Sequence, residues 1–253
     1  MRILLTNDDG YRAPGINILF EHLIAFGHDV IMVAPELNSS GAGQSIAVYN
    51  PIQITKVNDR IYFVSSTPAD SVRLGLQVVY GDPGNYPDLV IAGINMGENV
   101  GEDVLYSGTV GSAREGAIHK ISSIAVSTPG PEFNNLESAA KVIVDLVKRI
   151  ENHKKSFDKP FIWNINVPNL KYSDIDGYEV TSLGLRPPHK QFDRQVTPRN
   201  NVIFWQGEAS NPDTAPIGTD IDVFLKQRKV SITPLLILPT DFDQMATITG
   251  ITV

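Results

Sequence analysis

The sequence predicts an α/β fold, a doubly wound and mostly parallel sheet, with a β-rich arm at its C-terminus. Three observations carry that reading. Short continuous apolar runs, typical of strands buried in parallel sheets, recur through the first two-thirds of the chain. Amphipathic stretches at helical spacing lie between them, which is the alternation of this class. After residue 168 the chain changes to proline-rich, strand-like segments. Residues 1–168 therefore read as a Rossmann-like α/β core. Residues 169–253 read as an extension that completes the core, with an arm that supplies an oligomer interface or covers an active site.

The elements follow in order. Arg2-Ile3-Leu4-Leu5-Thr6 is a buried strand, and Pro14-Gly15 opens a helix with apolar Ile16, Leu19, Phe20, Leu23 and Ile24. Gly27 is its C-cap, and the apolar run through Pro35 is the second strand. The polar stretch 36–45 is a loop, and residues 52–65 form strands with a turn near Asn58-Asp59. Thr67-Pro68-Ala69-Asp70 starts a helix that runs to about Tyr80, with Thr as N-cap, Pro at N1 and a carboxylate at N3. Asp88 to Ala92 is the next strand, followed by a glycine-rich stretch from Gly93 to Gly111. A helix over 110–119, a strand at 124–126, a helix over 139–150 and a strand over 161–167 complete the core. A hairpin around Val202-Ile203-Phe204-Trp205 marks the arm.

Bulk properties narrow the function. With 253 residues, 42% of them hydrophobic and 19% charged, the chain can bury a large core. No apolar run is long enough to cross a bilayer, and no secretory apolar region precedes the acidic pair at residues 8 and 9. A cytoplasmic protein is expected. The lack of cysteine excludes disulfides, a thiolate nucleophile and cysteine-ligated metals. A net charge of −7 argues against duplex nucleic acid as a partner. A small anion remains acceptable if a cation dominates the local field.

The chemistry concentrates where strands end, the place where open α/β sheets bind ligands. Asn7-Asp8-Asp9-Gly10 ends the first strand. Adjacent carboxylates there repel and lose solvation, two penalties that a hard cation removes. Taken alone, the tetrapeptide also reads as an Asx turn. Ser39-Ser40-Gly41 follows the second strand, and Gly93-Ile94-Asn95-Met96-Gly97-Glu98-Asn99 follows the fourth apolar run. Together these clusters offer only oxygen donors, which select Mg2+, Mn2+ or Ca2+ over Zn2+. Tyr106-Ser107-Gly108-Thr109-Val110-Gly111 reads either as a phosphate cradle at a helix start or as ordinary capping by Ser107 or Thr109. His22, His28, His119, His153 and His189 lack metal-ligand spacing and read as structural or solvent-facing. Arg186, Lys190, Arg194 and Arg199 read either as cations that reach a phosphate or a longer polyanion or, by preference, as a solvated basic arm.

These clusters, with Ala13-Pro14-Gly15, Val33-Ala34-Pro35, Gly218-Thr219-Asp220 and Val230-Ser231-Ile232-Thr233-Pro234, stand in an order that resembles the SurE family over nearly the whole chain. Those stationary-phase survival proteins are metal-dependent nucleotidases. The resemblance implies ligation of one divalent cation per subunit, Mg2+ or Mn2+, by Asp8, Asp9, Ser40 and Asn95. It implies phosphate contacts from Ser107, Gly108, Thr109 and Asn99. The implied activity is hydrolysis of nucleoside 5′- and 3′-monophosphates, with short polyphosphate trimmed by some members. It also implies a cytoplasmic homodimer or homotetramer with exchanged C-terminal arms.

Two positions depart from the family pattern: Ser39 stands where an arginine is usual, and Arg228-Lys229 replaces a Gly-Tyr pair. Asp8 and Asp9 are the expected catalytic residues, as cation holders, as general base or as nucleophile. Attack by water is favoured, because the Asp-x-Asp spacing of aspartyl-phosphate enzymes is lacking. A non-catalytic nucleotide or polyphosphate sensor is one rival. A dinucleotide-dependent oxidoreductase is the other, but it would need a G-x-G-x-x-G turn after the first strand.

Overall fold

In the computed structural model the described residues are 1–129, 135–186, 192–207, 215–242, 244–245, 248 and 251. The sheet is built outward from β1 (Arg2–Thr6). On one side β1 pairs in parallel with β2 (Asp29–Pro35), Ile3 opposite Val30. On the other it pairs in parallel with β5 (Leu89–Met96), Ile3 opposite Leu89. Beyond β2 lie β4 (Ile61–Val64), parallel to it, and β3 (Ile54–Lys56), an antiparallel edge. Beyond β5 come β6 (Ser123–Thr128) and β7 (Ile162–Asn166), both parallel. The C-terminal residues extend the same sheet. β11 (Val230–Leu235) pairs antiparallel with β7, and β8 (Tyr178–Val180) pairs in parallel with β11. The nine strands run in the order β3-β4-β2-β1-β5-β6-β7-β11-β8.

Strand alternation divides the core between the two faces of this sheet. Ile3 and Leu5 pack with α1 (Pro14–Ala25) and α5 (Leu136–Asn152), where Leu19, Leu23, Ile143 and Val147 are fully buried. Leu4, between them in sequence, faces the other way, toward Val72 and Leu76 of the helical segment after β4. That segment is α2 (Pro68–Leu74), capped by Thr67, whose hydroxyl accepts from the Asp70 amide. It continues to Tyr80, as the sequence predicts, but with π-helical geometry over Gly75–Tyr80. α4 (Gly108–Ile118) packs on α2 and on β5 and β6, after the short α3 (Asp103–Tyr106).

Helices on both faces make the sheet doubly wound. Its strand order reverses at β1, whose neighbours β2 and β5 lead away in opposite directions. The carboxyl end of β1 is therefore the topological switch point, the expected ligand crevice. The hairpin of β9 (Asp193–Val196) and β10 (Val202–Trp205) stands apart as a second, two-stranded sheet. α6 (Asp220–Lys226) precedes β11. Among the described residues no helix is long and apolar enough to cross a membrane.

Candidate active site

The turn after β1 is closed by Asn7 alone. Its buried side chain brackets Gly10, donating to the carbonyl at 2.9 Å and accepting from the amide at 3.2 Å. Gly10 sits at φ +99°, where a side chain would be strained. The Asx turn thus needs neither aspartate, and both are left for other chemistry.

Asp8 is buried, with 3% of its surface exposed. Its Oδ1 accepts the hydroxyl of Thr109, and the amides of Gly108 and Thr109 at the start of α4 also act on the carboxylate. Burial nevertheless pushes its carboxyl pKa up, against the lowering effect of these hydrogen bonds. Asp9 is half-buried and accepts from Asn38 Nδ2 at 3.2 Å and from the Met96 amide at 3.4 Å. Burial raises its pKa first, and the neighbouring Asp8 charge raises it further. Among the described residues, no lysine, arginine or histidine acts on either carboxyl. Two crowded carboxylates without a counter-charge are the electrostatic signature of a cation position.

The other predicted ligands come from the ends of neighbouring strands. Ser40 is on the exposed loop after β2, its amide bonded to Asn38 Oδ1 at 2.9 Å, and the preceding Ser39 amide donates to Asp8 O at 2.7 Å. Asn38 therefore ties the Ser40 loop to Asp9, a link that the sequence pattern did not reveal. Asn95, at the end of β5, spends its amide nitrogen on Gly97 O at 2.7 Å, so its carbonyl oxygen is the atom suited to a cation. Among the described residues, no group of three or more His, Cys, Asp or Glu gathers to hold an ion. An ion beside β1 would thus depend on the neutral oxygens of Ser40 and Asn95 as well as on the two carboxylates. This all-oxygen set fits a hard divalent cation.

Asp8, Ser40, Asn95, Asn99 and Ser107 line one cavity of about 650 Å3. Asp9, Gly108 and Thr109 lie within two residues of lining residues but do not line it. Ser107 caps α4 by accepting from the Val110 amide at 3.1 Å. Gly108 lies against Asp8 so closely that a Cβ would stand 2.8 Å from Asp8 Cβ and 2.9 Å from Asp8 Oδ2. Asn99 is held from β7: Asn166 pairs with both its amide (2.9 Å) and its carbonyl (3.0 Å), and Asn164 Nδ2 reaches the same carbonyl at 2.7 Å. The side-chain nitrogen of Asn99 is given to Ser127 Oγ at 2.7 Å. A sequence signal for this anchor existed, since two asparagines two apart in an apolar strand share one face.

The basic arm is not uniformly solvated. Arg194 and Arg199 are exposed, but the Arg186 side chain is only 4% exposed and lines the cavity, paired with Glu98 and Asp103. Its ion-pair partners lie more than eighty residues earlier, beyond the reach of local charge patterning. His189 and Lys190 lie outside the described residues. The other histidines sit away from the cavity: His22 pairs with Glu137, His119 with Glu115, His153 with the Arg149 carbonyl and His28 with the N-terminus. The two departures have local partners. Ser39 Oγ turns to Leu37 O, while Arg228 binds Asp174 O and Lys229 binds Glu179 across β8.

Comparison with known proteins identifies the family. The family model described as Survival protein SurE matches residues 3–190. The 5′-nucleotidase SurE of Methylobacillus flagellatus is 43% identical over 244 residues, covering 96% of each chain. The protein of the same name from Nitrosomonas eutropha is 44% identical over 245 residues, 97% of this chain and 96% of its own. The crystal structure of the SurE protein from Aquifex aeolicus superposes with a TM-score of 0.86 at 39% identity, over 100% of both chains. By sequence along its length and by fold, this chain belongs to the SurE family.

Proposed function

We propose that the chain is a divalent-metal-dependent 5′-nucleotidase that hydrolyses nucleoside 5′- and 3′-monophosphates to nucleoside and phosphate. The observation that carries this reading is the uncompensated Asp8–Asp9 pair at the switch point of the sheet, beside a cavity of about 650 Å3. That volume lies inside the roughly 300–1,000 Å3 range of small-molecule sites. The names of the relatives support the same activity.

Asp8, Asp9, Ser40 and Asn95 would hold one Mg2+ or Mn2+, which supplies Lewis-acid polarisation of the phosphoryl group and a more acidic water. The protein's own part is positioning. Thr109 and the first amides of α4 fix the Asp8 carboxylate. Asp9, the more exposed of the two acids, is the one placed to take the proton of the attacking water. Ser107 accepts from Val110 and so keeps its own proton for a phosphoryl oxygen. Gly108 leaves the room that the Asp8 carboxylate occupies against the helix start. A contact from Thr109 requires its hydroxyl to leave Asp8, whereas Asn99 Nδ2 has a second hydrogen besides the one given to Ser127.

Phosphate release from AMP, GMP and 3′-AMP, measured with Mg2+, with Mn2+ and with EDTA, tests this. Release should require the cation, stop in EDTA and return with excess metal. Cation-dependent nucleotide binding without release would leave the sensor reading standing instead.

The same reading includes a cytoplasmic homodimer or homotetramer that exchanges C-terminal arms. Supporting it, the β9–β10 hairpin leaves Phe204 61% and Trp205 59% exposed, and Phe242 and Ile251 are more exposed still. Apolar surface of this extent is rarely left to water. Sedimentation should give a multimer for the intact chain and a monomer when residues 192–206 are deleted. A monomeric intact chain sinks the arm-exchange model.

A further inference from the structure

One helix touches two of the strand-end loops that carry the candidate ligands. Residues 108, 111 and 115 of α4 are spaced three and four apart and so share one face. Gly108 lies against Asp8. At Gly111 the loop after β2 packs on the helix backbone, and a Cβ there would collide with the Gly43 carbonyl oxygen. One turn further on, Glu115 Oε2 accepts from Gln44 Nε2 at 2.9 Å. The other oxygen of this buried carboxylate lies 3.4 Å from His119 Nε2 and 3.9 Å from Arg73 Nε, so Glu115 keeps a counter-charge. The rest of the loop is fastened to α2, where the Thr67 hydroxyl donates to Ser45 O at 2.7 Å and Asp70 Oδ2 accepts from the Ala47 amide at 2.8 Å.

Ser40 belongs to the same loop, four residues before Gln44. A neutral hydroxyl binds a hard cation well only where its position is set in advance, because any ordering left to the ion is subtracted from its affinity. Neither Gln44 nor Glu115 lines the cavity, so the pair acts through the loop and not through contact with a substrate. We propose that Glu115 is a positioning residue: through Gln44 it fixes the Ser40 loop on the helix that also fixes Asp8, and so sets the distance between a neutral and a charged ligand of one divalent cation. This deepens the nucleotidase reading and rests on it. Groups that orient metal ligands from outside the coordination sphere weigh heavily on affinity.

Isothermal titration of the full chain with Mn2+, in the absence of nucleotide, tests the assignment. Gln44→Glu sets a second carboxylate against Glu115, and Gln44→Ala removes the donor from a partly exposed loop position. Each should weaken Mn2+ binding about tenfold, the lower end for loss of a group that orients a metal ligand. The Mn2+ concentration giving half-maximal phosphate release should rise by a similar factor. Adding E115Q to Q44E restores the hydrogen bond with donor and acceptor exchanged, and should return the affinity to within about threefold of the parent. A bracing role in the fold alone would lower the melting temperature in EDTA and leave the affinity where it was. Parental Mn2+ affinity in both Gln44 variants overturns the proposal, as does a weakened Q44E that E115Q does not restore. Mn2+ binding by the parent without phosphate release would strike the nucleotidase reading alone.

Discussion

Asp8→Asn is expected to lower cation-stimulated phosphate release by about a thousand-fold or more, the scale set by loss of one preorganised electrostatic group. The fold should survive. Asp8 lies buried at the end of β1 with no cationic neighbour among the described residues, and burial already disfavours its charged form. An asparagine there keeps the oxygen that Thr109 needs and removes the uncompensated charge. In EDTA the melting temperature of the variant should thus stay within about 4 °C of the parent. The upward shift that Mn2+ should give the parent is expected to vanish, because binding to the native state alone would produce it. A variant that keeps both the cation-induced shift and phosphate release would refute the role assigned to Asp8.

Gly108→Ala should be nearly as damaging for a purely steric reason. The added methyl would stand 2.8 Å from Asp8 Cβ, 2.9 Å from Asp8 Oδ2 and 3.1 Å from Pro68 Cγ. Neither neighbour yields cheaply. Pro68 is the first residue of α2, and Asp8 is held by Thr109 of the same helix as Gly108. The methyl must push the carboxylate or the helix start aside by tenths of an ångström. Misplacement on that scale costs about a hundred-fold in rate, and overpacking costs about 1–3 kcal/mol in stability. Steady-state kinetics and urea unfolding report the two separately. Full activity with parental stability would show that the start of α4 does not set the Asp8 geometry.

Most of the architecture is legible because it is written in local patterns. The β1–α1–β2 unit, the Thr67 cap, the hairpin at residues 54–64 and the strand at Ile162–Asn166 all follow from apolar spacing and capping chemistry. The last six residues of the helix after Thr67 are less legible. Nothing in Gly75-Leu76-Gln77-Val78-Val79-Tyr80 announces that the helix widens there. The candidate ligands are legible as clusters at strand ends, and the structure sets Asp8, Ser40, Asn95, Asn99 and Ser107 around one cavity. Their engagement is not legible. That Thr109 serves Asp8, or that the donor of Asn99 goes to Ser127, depends on distances between elements.

Read alone, the chain left α3, β8, α6 and β11 undetermined. It determined most of the strand and helix sequence of residues 1–168, the oxygen-only character of the candidate donors and the position of two acids at the mouth of a parallel sheet. These are properties of residue type and short-range periodicity, which a linear pattern records directly. Only the folded molecule decided which groups meet. It placed β2 and β5 on either side of β1, sent Asn164 and Asn166 to hold Asn99, and drew Arg186 inward against Glu98 and Asp103. The partners in those last contacts are separated by 65 to 88 residues. Pairing at such separation follows from sheet order and packing, which no local stretch of sequence encodes.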